Sequence, residues 1–395
     1  MKIQIQNALF YPARGGIENY MYYVSKSLIK SGHKPTILCS KHIEDLSYND
    51  KYEDIDIIRH NPYDLNKFLS PINPFYYQKN LERFIKHNSK DFDAIMSRFP
   101  YHAYSSCKLS ENIPVLYIQA TVWPRFMEFA TKDFKGLAKI ASKLRYLQDY
   151  YIEKKAIELC QEVIVLSEIR MKEISDFYSI PEDKFTVVPP GIDLDRFRPI
   201  KKDKTILNSL NIPENSKVIL TVCRLSPEKN VEMLIKAFSK MDCENCYLVI
   251  VGDGPERPSL ENLCKNLNIK RVRFTGFRND VQRFYSIADV FVLPSIYEGF
   301  GQVFLEAMSS GIPCIGLKSN YPDIIVASDE IIINGKNGYL ADPYSIHDLA
   351  DKISNIILNS DINEVMKHNA RKMCEKSYSW DTHTQNLLKM IKKNK

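Results

Sequence analysis

The sequence predicts an α/β protein made of two Rossmann-like, doubly wound domains. Three observations carry this. Short strand-like runs alternate with helical patterns along most of the chain. The chain has 395 residues, beyond the roughly 300 at which a single core usually stops growing. A Pro-Pro-Gly break near the middle separates two halves with the same strand-helix rhythm.

In the first half the expected strands are Lys2–Gln6, Thr36–Ser40, Ala94–Ser97, Val115–Gln119, Val163–Ser167 and Thr186–Pro189. In the second half they are Val218–Val222, Leu248–Val251, Val272–Thr275, Phe291–Pro294 and Cys314–Leu317. Between them Ile17, Tyr20, Met21, Val24 and Leu28 recur at helical spacing, as do Val231, Leu234, Ile235 and Phe238. Both stripes read as core faces, which leaves ligand chemistry to the helix starts. The break at Pro189-Pro-Gly-Ile-Asp193 sets the expected domains at 1–192 and 193–378. Residues 379–395 form a terminal helix and tail that packs back on the first domain.

Composition narrows the function. With 44% hydrophobic and 26% charged residues the chain is ordinary globular protein. No run approaches the roughly 18 apolar residues of a membrane span. The opening Met1-Lys-Ile-Gln-Ile-Gln alternates apolar and polar residues, unlike a secretory signal, so a cytoplasmic protein is expected. A net charge of +6 is too small to imply nucleic acid, but it suits an anionic ligand or an anionic membrane surface. Nine scattered cysteines imply reduced thiols, and Cys243-Glu-Asn-Cys246 reads as two small apolar residues at a helix-to-strand turn.

Three strand-to-helix loops hold the candidate chemistry. Gly15-Gly16-Ile17-Glu18 opens the first helix, where free N–H groups suit a phosphate; a plain tight turn fits equally. Arg224-Leu-Ser-Pro-Glu-Lys229 follows the strand Val218–Val222. It offers a fork and a point charge to a diphosphate, or is simply a solvated basic loop. In Pro294-Ser-Ile-Tyr-Glu298-Gly-Phe-Gly-Gln-Val-Phe-Leu-Glu306, a glycine-bearing loop leads into a helix. Glu298 lies in the loop and Glu306 inside the helix, where ribose hydroxyls would give a buried carboxylate partners. Loop amides from Gly299, Phe300 and Gly301 to Gln302 and Val303 could bind phosphate or sugar oxygens. Neither Gly252-Asp-Gly-Pro-Glu-Arg257 nor Gly299-Phe-Gly-Gln-Val-Phe304 completes a GxGxxG fingerprint, which disfavours a nicotinamide enzyme.

Taken together, these motifs resemble the group 1 (family 4) retaining glycosyltransferases of GT-B fold. The resemblance runs from Gly15-Gly16 through Pro190-Gly-Ile-Asp193, Arg224 to Lys229, Gly252-Asp-Gly-Pro-Glu256, Glu298 to Glu306 and Gly338-Tyr-Leu to Ser379-Trp380. It implies two Rossmann-like domains facing a central cleft and a nucleoside-diphosphate sugar as co-substrate, with no cofactor and no metal. Gly16 and Gly252 are then donor-binding. Arg224 and Lys229 neutralise the diphosphate leaving group, Glu298 lies close to the donor sugar, and Glu306 binds ribose. Many members place a histidine where this chain has Gln119, followed by Ala120 and Thr121. Gln119 and Thr121 therefore fall on the acceptor or sugar side, with no group there that titrates near neutrality.

Asp54–Asp56, Asp91–Asp93 and Asp193–Asp195 have the DxD spacing of a metal pair, but they lie at strand starts or the junction, so none is assigned to metal. The segment from Trp123 to Lys155 interleaves Phe126, Phe129, Phe134, Leu137, Ile140 and Leu144 with Lys132, Lys135, Lys139, Lys143 and Arg145. It reads as an ordinary amphipathic helix or as one that rests on anionic lipid, with Glu128, Asp133 and Asp149 counting against the latter. The expected function is sugar transfer to a glycan or lipid-linked acceptor at the inner face of the membrane. The rivals are a non-catalytic subunit of a glycosyltransferase complex and a sugar-nucleotide epimerase or hydrolase on the same fold.

Overall fold

The computed structural model describes every residue except Arg14, 62–72, Glu111, 131–134 and Lys395, and does not describe the side chains at 73–76, 126, 128–130 and 137. Lys132, Asp133 and Phe134 therefore lie outside the described residues, as do the side chains of Phe126, Glu128, Phe129 and Leu137. The chain forms two compact units. The first comprises Met1–Leu166, Arg170–Pro189 and Trp380–Lys395; the second comprises Ser167–Ile169 and Pro190–Ser379.

The first unit begins with β1 (Lys2–Gln6), α1 (Gly16–Lys30), β2 (Lys34–Ser40), β3 (Asn49–Tyr52) and β4 (Ile55–His60). It continues with α2 (Asn73–Asn88), β5 (Ala94–Ser97), α3 (Pro100–Leu109), β6 (Val115–Gln119), α4 (Trp123–Ala130) and α5 (Leu137–Leu159). Then follow β7 (Glu162–Val165), α6 (Glu168–Tyr178) and β8 (Phe185–Val187). The strands lie in the order β3-β4-β2-β1-β5-β6-β7-β8. All pair in parallel except β3 with β4, a short antiparallel edge. Central strands of a parallel sheet are covered on both faces. Ile95, Val115, Tyr117, Val163 and Val165 accordingly pack under Ala103 of α3, Ala156 and Ile157 of α5, and Ile174 and Tyr178 of α6.

The alternation in β1 does not mark a wet face. Gln4 and Gln6 are fully buried. Gln6 donates to Gln4 Oε1 at 2.7 Å, Ser89 donates to the same oxygen at 2.7 Å, and Ser106 donates to Gln6 Oε1 at 2.9 Å. The glutamines are interior because α2 and α3 bring partners to them.

The second unit contains α7 (Lys204–Ser209), β9 (Lys217–Val222), α8 (Val231–Lys240), β10 (Cys246–Val251), α9 (Arg257–Asn266) and β11 (Val272–Gly276). It continues with α10 (Val281–Tyr285), β12 (Val290–Leu293), α11 (Gln302–Ser309), β13 (Cys314–Leu317), α12 (Ser328–Ile331), β14 (Gly338–Ala341), α13 (Ile346–Leu358) and α14 (Ser360–Ser377). Its sheet runs β11-β10-β9-β12-β13-β14, parallel throughout. The expected stripe Val231, Leu234, Ile235 and Phe238 is buried against Ile219, Leu248, Val290 and Val292, together with Leu349 and Ile353 of α13.

The last helix, α15 (Trp380–Lys393), belongs to the first unit and docks on α1. Trp380 stacks on Tyr23, and Asp381 accepts from Ser27 at 2.8 Å. His383 bridges Tyr20 Oη at 2.6 Å and the Pro189 carbonyl at 2.7 Å. Burial lowers the His383 pKa to about 4. The neutral ring thus takes the Tyr20 hydroxyl hydrogen on Nε2 and donates from Nδ1.

The expectation of reduced thiols throughout is corrected. Cys107 is bonded to Cys160 across 53 residues, and Cys243 to Cys246, with Cα–Cα distances of 5.6 and 5.5 Å. Composition cannot show the first pairing, because α3 and the end of α5 meet only in the fold. Cys39, Cys223, Cys264, Cys314 and Cys374 are free.

Candidate active site

In the second unit the candidate residues converge at the carboxyl ends of β9, β10 and β12, the edge where open α/β sheets bind ligands. After β9 the chain runs through Cys223, Arg224 and Leu225 into a single 3-10 turn, Pro227–Lys229. Asn230 takes a left-handed φ of 51° and starts α8, a conformation that asparagine tolerates well. The next strand restrains this loop. Gly252 has φ 134°, and a Cβ there would lie 1.8 Å from the Cys223 carbonyl oxygen; one on Gly254 would lie 2.3 Å from that of Leu225. Leu225 N–H donates to Asp253 O at 3.0 Å, and Glu256 N–H to Leu225 O at 3.0 Å. Gly252 thus acts by letting two backbones touch, so that the loop carrying Arg224 is held against the end of β10. Arg224 itself is exposed.

The loop after β12 is tied to the same place. Ile296 N–H donates to Glu228 O at 2.9 Å, and Glu298 N–H to Ile325 O at 2.9 Å. Lys229 Nζ meets Glu298 Oε2 at 2.5 Å, with side chains 16% and 21% exposed. Sequence reading assigned these two residues separate tasks, whereas the structure makes them one ion pair. Gly301, φ 89°, caps the start of α11, and Phe300 is buried against Tyr378, which leaves only its backbone for a ligand. Gln302 donates its side-chain amide to Gly191 O at 2.9 Å, and Val303 lies in the first turn, where helix N–H groups have no partner within the helix.

Glu306, one turn further on, accepts from Tyr285 Oη at 2.9 Å. Burial pushes its pKa up to about 7, against the pull of the Tyr285 hydroxyl and the Arg196 charge. Tyr285 ends α10, 21 residues earlier in the chain, and no motif points to it.

The first unit holds a second constellation. Gly16 is exposed at the start of α1, and a Cβ added there would meet nothing within 4 Å. A cavity of about 140 Å³ opens beside it, lined by residues that include Asn7, Glu18, Arg98, Phe99, Thr121 and Trp123. Arg98 is buried, 4.1 Å from the centre of the Tyr20 ring, and its Nε and Nη1 have no hydrogen-bond partner among the described residues.

Gln119, at the end of β6, is buried and donates to Glu153 Oε1 at 2.9 Å. The same carboxylate accepts from Tyr117 Oη at 2.7 Å, Trp123 N–H at 2.8 Å and the Tyr178 hydroxyl. Burial lifts the Glu153 pKa to about 7, while these four donors pull it down. Glu153 also lines the cavity. Sequence reading missed it, because a glutamate in a lysine-rich helix looks like a surface residue. The available signal was its place in the pattern Ile152, Glu153, Ala156, Ile157, on the face that packs inward.

Asp54, Asp56, Asp91, Asp93 and Asp195 are exposed, and Asp193 accepts from the backbone N–H groups of Asp195 and Arg196. Among the described residues no group of three or more His, Cys, Asp or Glu could hold a metal, and no helix is long and apolar enough to cross a membrane.

Two family models match in succession: Glycosyltransferase Family 4 over residues 14–196, and Glycosyl transferases group 1 over 202–373. The chain belongs to the group 1 glycosyltransferases, and its fold is GT-B. It is 27% identical over 395 residues to an uncharacterized glycosyltransferase of Methanocaldococcus jannaschii, covering 97% of this chain and 96% of the relative. It is 28% identical over 386 residues to the alpha-monoglucosyldiacylglycerol synthase of Streptococcus pneumoniae, covering 92% and 80%. The crystal structure of Anabaena HepE in complex with UDP and glucose superposes with a TM-score of 0.73 at 18% identity over the whole of both chains.

Proposed function

We propose that this glycosyltransferase moves a hexosyl unit from a nucleoside-diphosphate sugar to an acceptor hydroxyl with retention of configuration and without a metal. The observation that carries the reading is the strand-end platform of the second unit, where Arg224, Lys229 and Glu298 stand on loops tied to one another and Glu306 lies in α11, held by Tyr285. Arg224 and Lys229 stabilise negative charge as it grows on the departing diphosphate, the work a Lewis-acid metal would otherwise do. Glu298 holds the Lys229 ammonium in place until the diphosphate competes for it, and accepts from hydroxyls of the donor sugar. Glu306 accepts from ribose, with Tyr285 fixing its orientation. Backbone at Gly252 and from Gly299 to Val303, and the α1 start at Gly16, serve phosphate and sugar oxygens.

The acceptor is read onto the first unit, at the cavity beside Thr121 and Gln119. The sugar–diphosphate bond breaks as the acceptor oxygen attacks from the same face, and the leaving phosphate oxygen takes the acceptor proton. The UDP and glucose bound in HepE and the lipid product named for the Streptococcus pneumoniae relative support a nucleotide-sugar donor and a glycolipid or cell-envelope glycan acceptor.

The test is to incubate the purified protein in excess EDTA with a panel of sugar nucleotides, with and without lipid-linked and soluble acceptors, and to read product anomers by NMR. Transfer with retention is expected. Donor hydrolysis or epimerisation alone, or nucleotide binding without turnover, would replace this reading with one of its rivals.

A further inference from the structure

Helix α5 spans 23 residues, yet only its second half is anchored in the first unit's interior. From Lys135 to Gln148 no described side chain is buried; Asp149 is the first that is. Along the outer face of α5, Ile140, Leu144, Leu147 and Tyr151 are 59, 65, 63 and 54% exposed. Their spacing of four, three and four places them in one line along the helix, about 16 Å long at 1.5 Å per residue. Four large apolar side chains aligned in water form a patch of the kind that marks an interaction surface.

The charges around the stripe identify what it meets. Between residues 135 and 148 the sequence has Lys135, Lys139, Lys143 and Arg145 and no Asp or Glu, and all four cations are exposed. The acidic residues of α5 do not offset them at the surface. Asp149 and Glu153 are buried, accepting from Tyr101 and Tyr117, and Glu158 is paired with Lys155. Of the four cations, Arg145 reaches one of these carboxylates, Asp149, at 3.7 Å. Asp149, which counted against lipid binding in the sequence, is thus withdrawn from the surface.

We propose that this face of α5 docks on an anionic lipid bilayer, the apolar stripe entering the interfacial layer and the flanking cations meeting headgroup phosphates. Pairing of the stripe with a second copy is disfavoured, since it would bring the same cations face to face. The proposal deepens the functional reading by naming how the enzyme reaches a lipid-linked acceptor, and depends on that reading only for the acceptor.

The test is co-sedimentation of the full chain with vesicles containing about a third phosphatidylglycerol and with pure phosphatidylcholine vesicles, at salt from about 50 to about 500 mM. Leu144→Glu/Leu147→Glu is the variant, and both side chains are exposed enough to leave the fold intact. Wild type is expected to bind the anionic vesicles, more weakly as salt rises. The double variant should bind at least about tenfold less, with unchanged thermal midpoint and unchanged turnover of a soluble acceptor.

No binding at low salt, or equal binding by the variant, overturns the proposal. So does a concentration-dependent dimer, seen by sedimentation velocity, that the variant abolishes. Vesicle binding without any sugar transfer leaves this inference standing and removes the functional reading; transfer without vesicle binding does the opposite.

Discussion

The two units place their acidic residues in opposite settings. In the second unit Glu298 is paired with a cation, and both partners keep some contact with solvent. In the first unit Glu153 is sealed in, and every partner hydrogen-bonded to it is a neutral donor. An ion pair near water exchanges readily, because screening makes each partner cheap to release. A buried carboxylate with four donors exchanges less readily, since moving it would break four hydrogen bonds at once. On the proposed reading, the second unit can hand a charge to an arriving ligand, while the first holds Glu153 beside its cavity.

Substitutions should break this contrast in order of size. If, as proposed, Arg224 and Lys229 meet charge that develops only in the transition state, Arg224→Ala and Lys229→Ala should each slow transfer by about 100-fold or more while the fold survives. Steady-state kinetics on purified variants checks this, and near-normal turnover in both would remove them from the site. Glu153→Gln should act on stability instead. It turns one acceptor into a donor facing other donors, at a cost of about 2–4 kcal/mol, visible as a drop in thermal midpoint. UDP affinity, read onto the other unit, should stay unchanged; a loss of UDP binding without a loss of stability would reverse the assignment.

The legibility of the sequence follows the same division. The placement of Arg224, Lys229, Glu298 and Glu306 after strands and at a helix start could be read because they lie close in sequence to the elements that position them. Tyr285 and Glu153 could not, since each meets its partner only through tertiary packing across 21 or more residues. Two strands were also missed, and of a third only the start was placed, at Asp54–Asp56. Asn49–Tyr52 is wholly exposed and carries no apolar pattern, Ile55–His60 has Asp56, Arg59 and His60 among its six residues, and Gly338–Ala341 is short and begins with glycine. Gly338 belongs there because a Cβ would lie 1.9 Å from the Cys314 carbonyl oxygen, a requirement of the neighbouring strand that its own segment does not announce.

Two pH effects sharpen the comparison further. The buried His383 holds its pKa near 4 against the ordinary 6.5, so only the unfolded state gains a proton as pH falls below about 6.5. Its contribution to stability is lost progressively down to pH 4, by up to about 3 kcal/mol, and urea titrations of wild type and His383→Gln between pH 7 and pH 4 should converge. Glu306 behaves in the opposite sense. Its pKa of about 7 lies above the ordinary 4.5, so burial costs stability increasingly as pH rises through that interval. If ribose hydroxyls donate to its charged form, UDP affinity should rise several-fold between pH 6 and pH 8. Glu306→Gln should flatten that rise in calorimetric titrations, and an unchanged slope would detach Glu306 from the nucleotide.

The smallest expected effect is that of a chelator. If Arg224 and Lys229 serve the diphosphate as proposed, initial rates in excess EDTA should match those with added magnesium or manganese. Abolition by EDTA with rescue by either ion would transfer the work to a metal.

The return of α15 to the first unit has a consequence for how the protein is made. Trp380, Asp381 and His383 cover α1 only after the whole stretch from Pro190 to Ser379 has been synthesised. At roughly 5–20 residues per second, those ~190 residues keep the Tyr20, Tyr23 and Ser27 face of α1 bare for about 10–40 seconds on the ribosome. The second unit, nearly continuous in sequence, can close before the first is finished. The part of the chain that emerges first is thus the last to be completed, and a nascent protein of this design depends longest on whatever shields α1 until its final helix arrives.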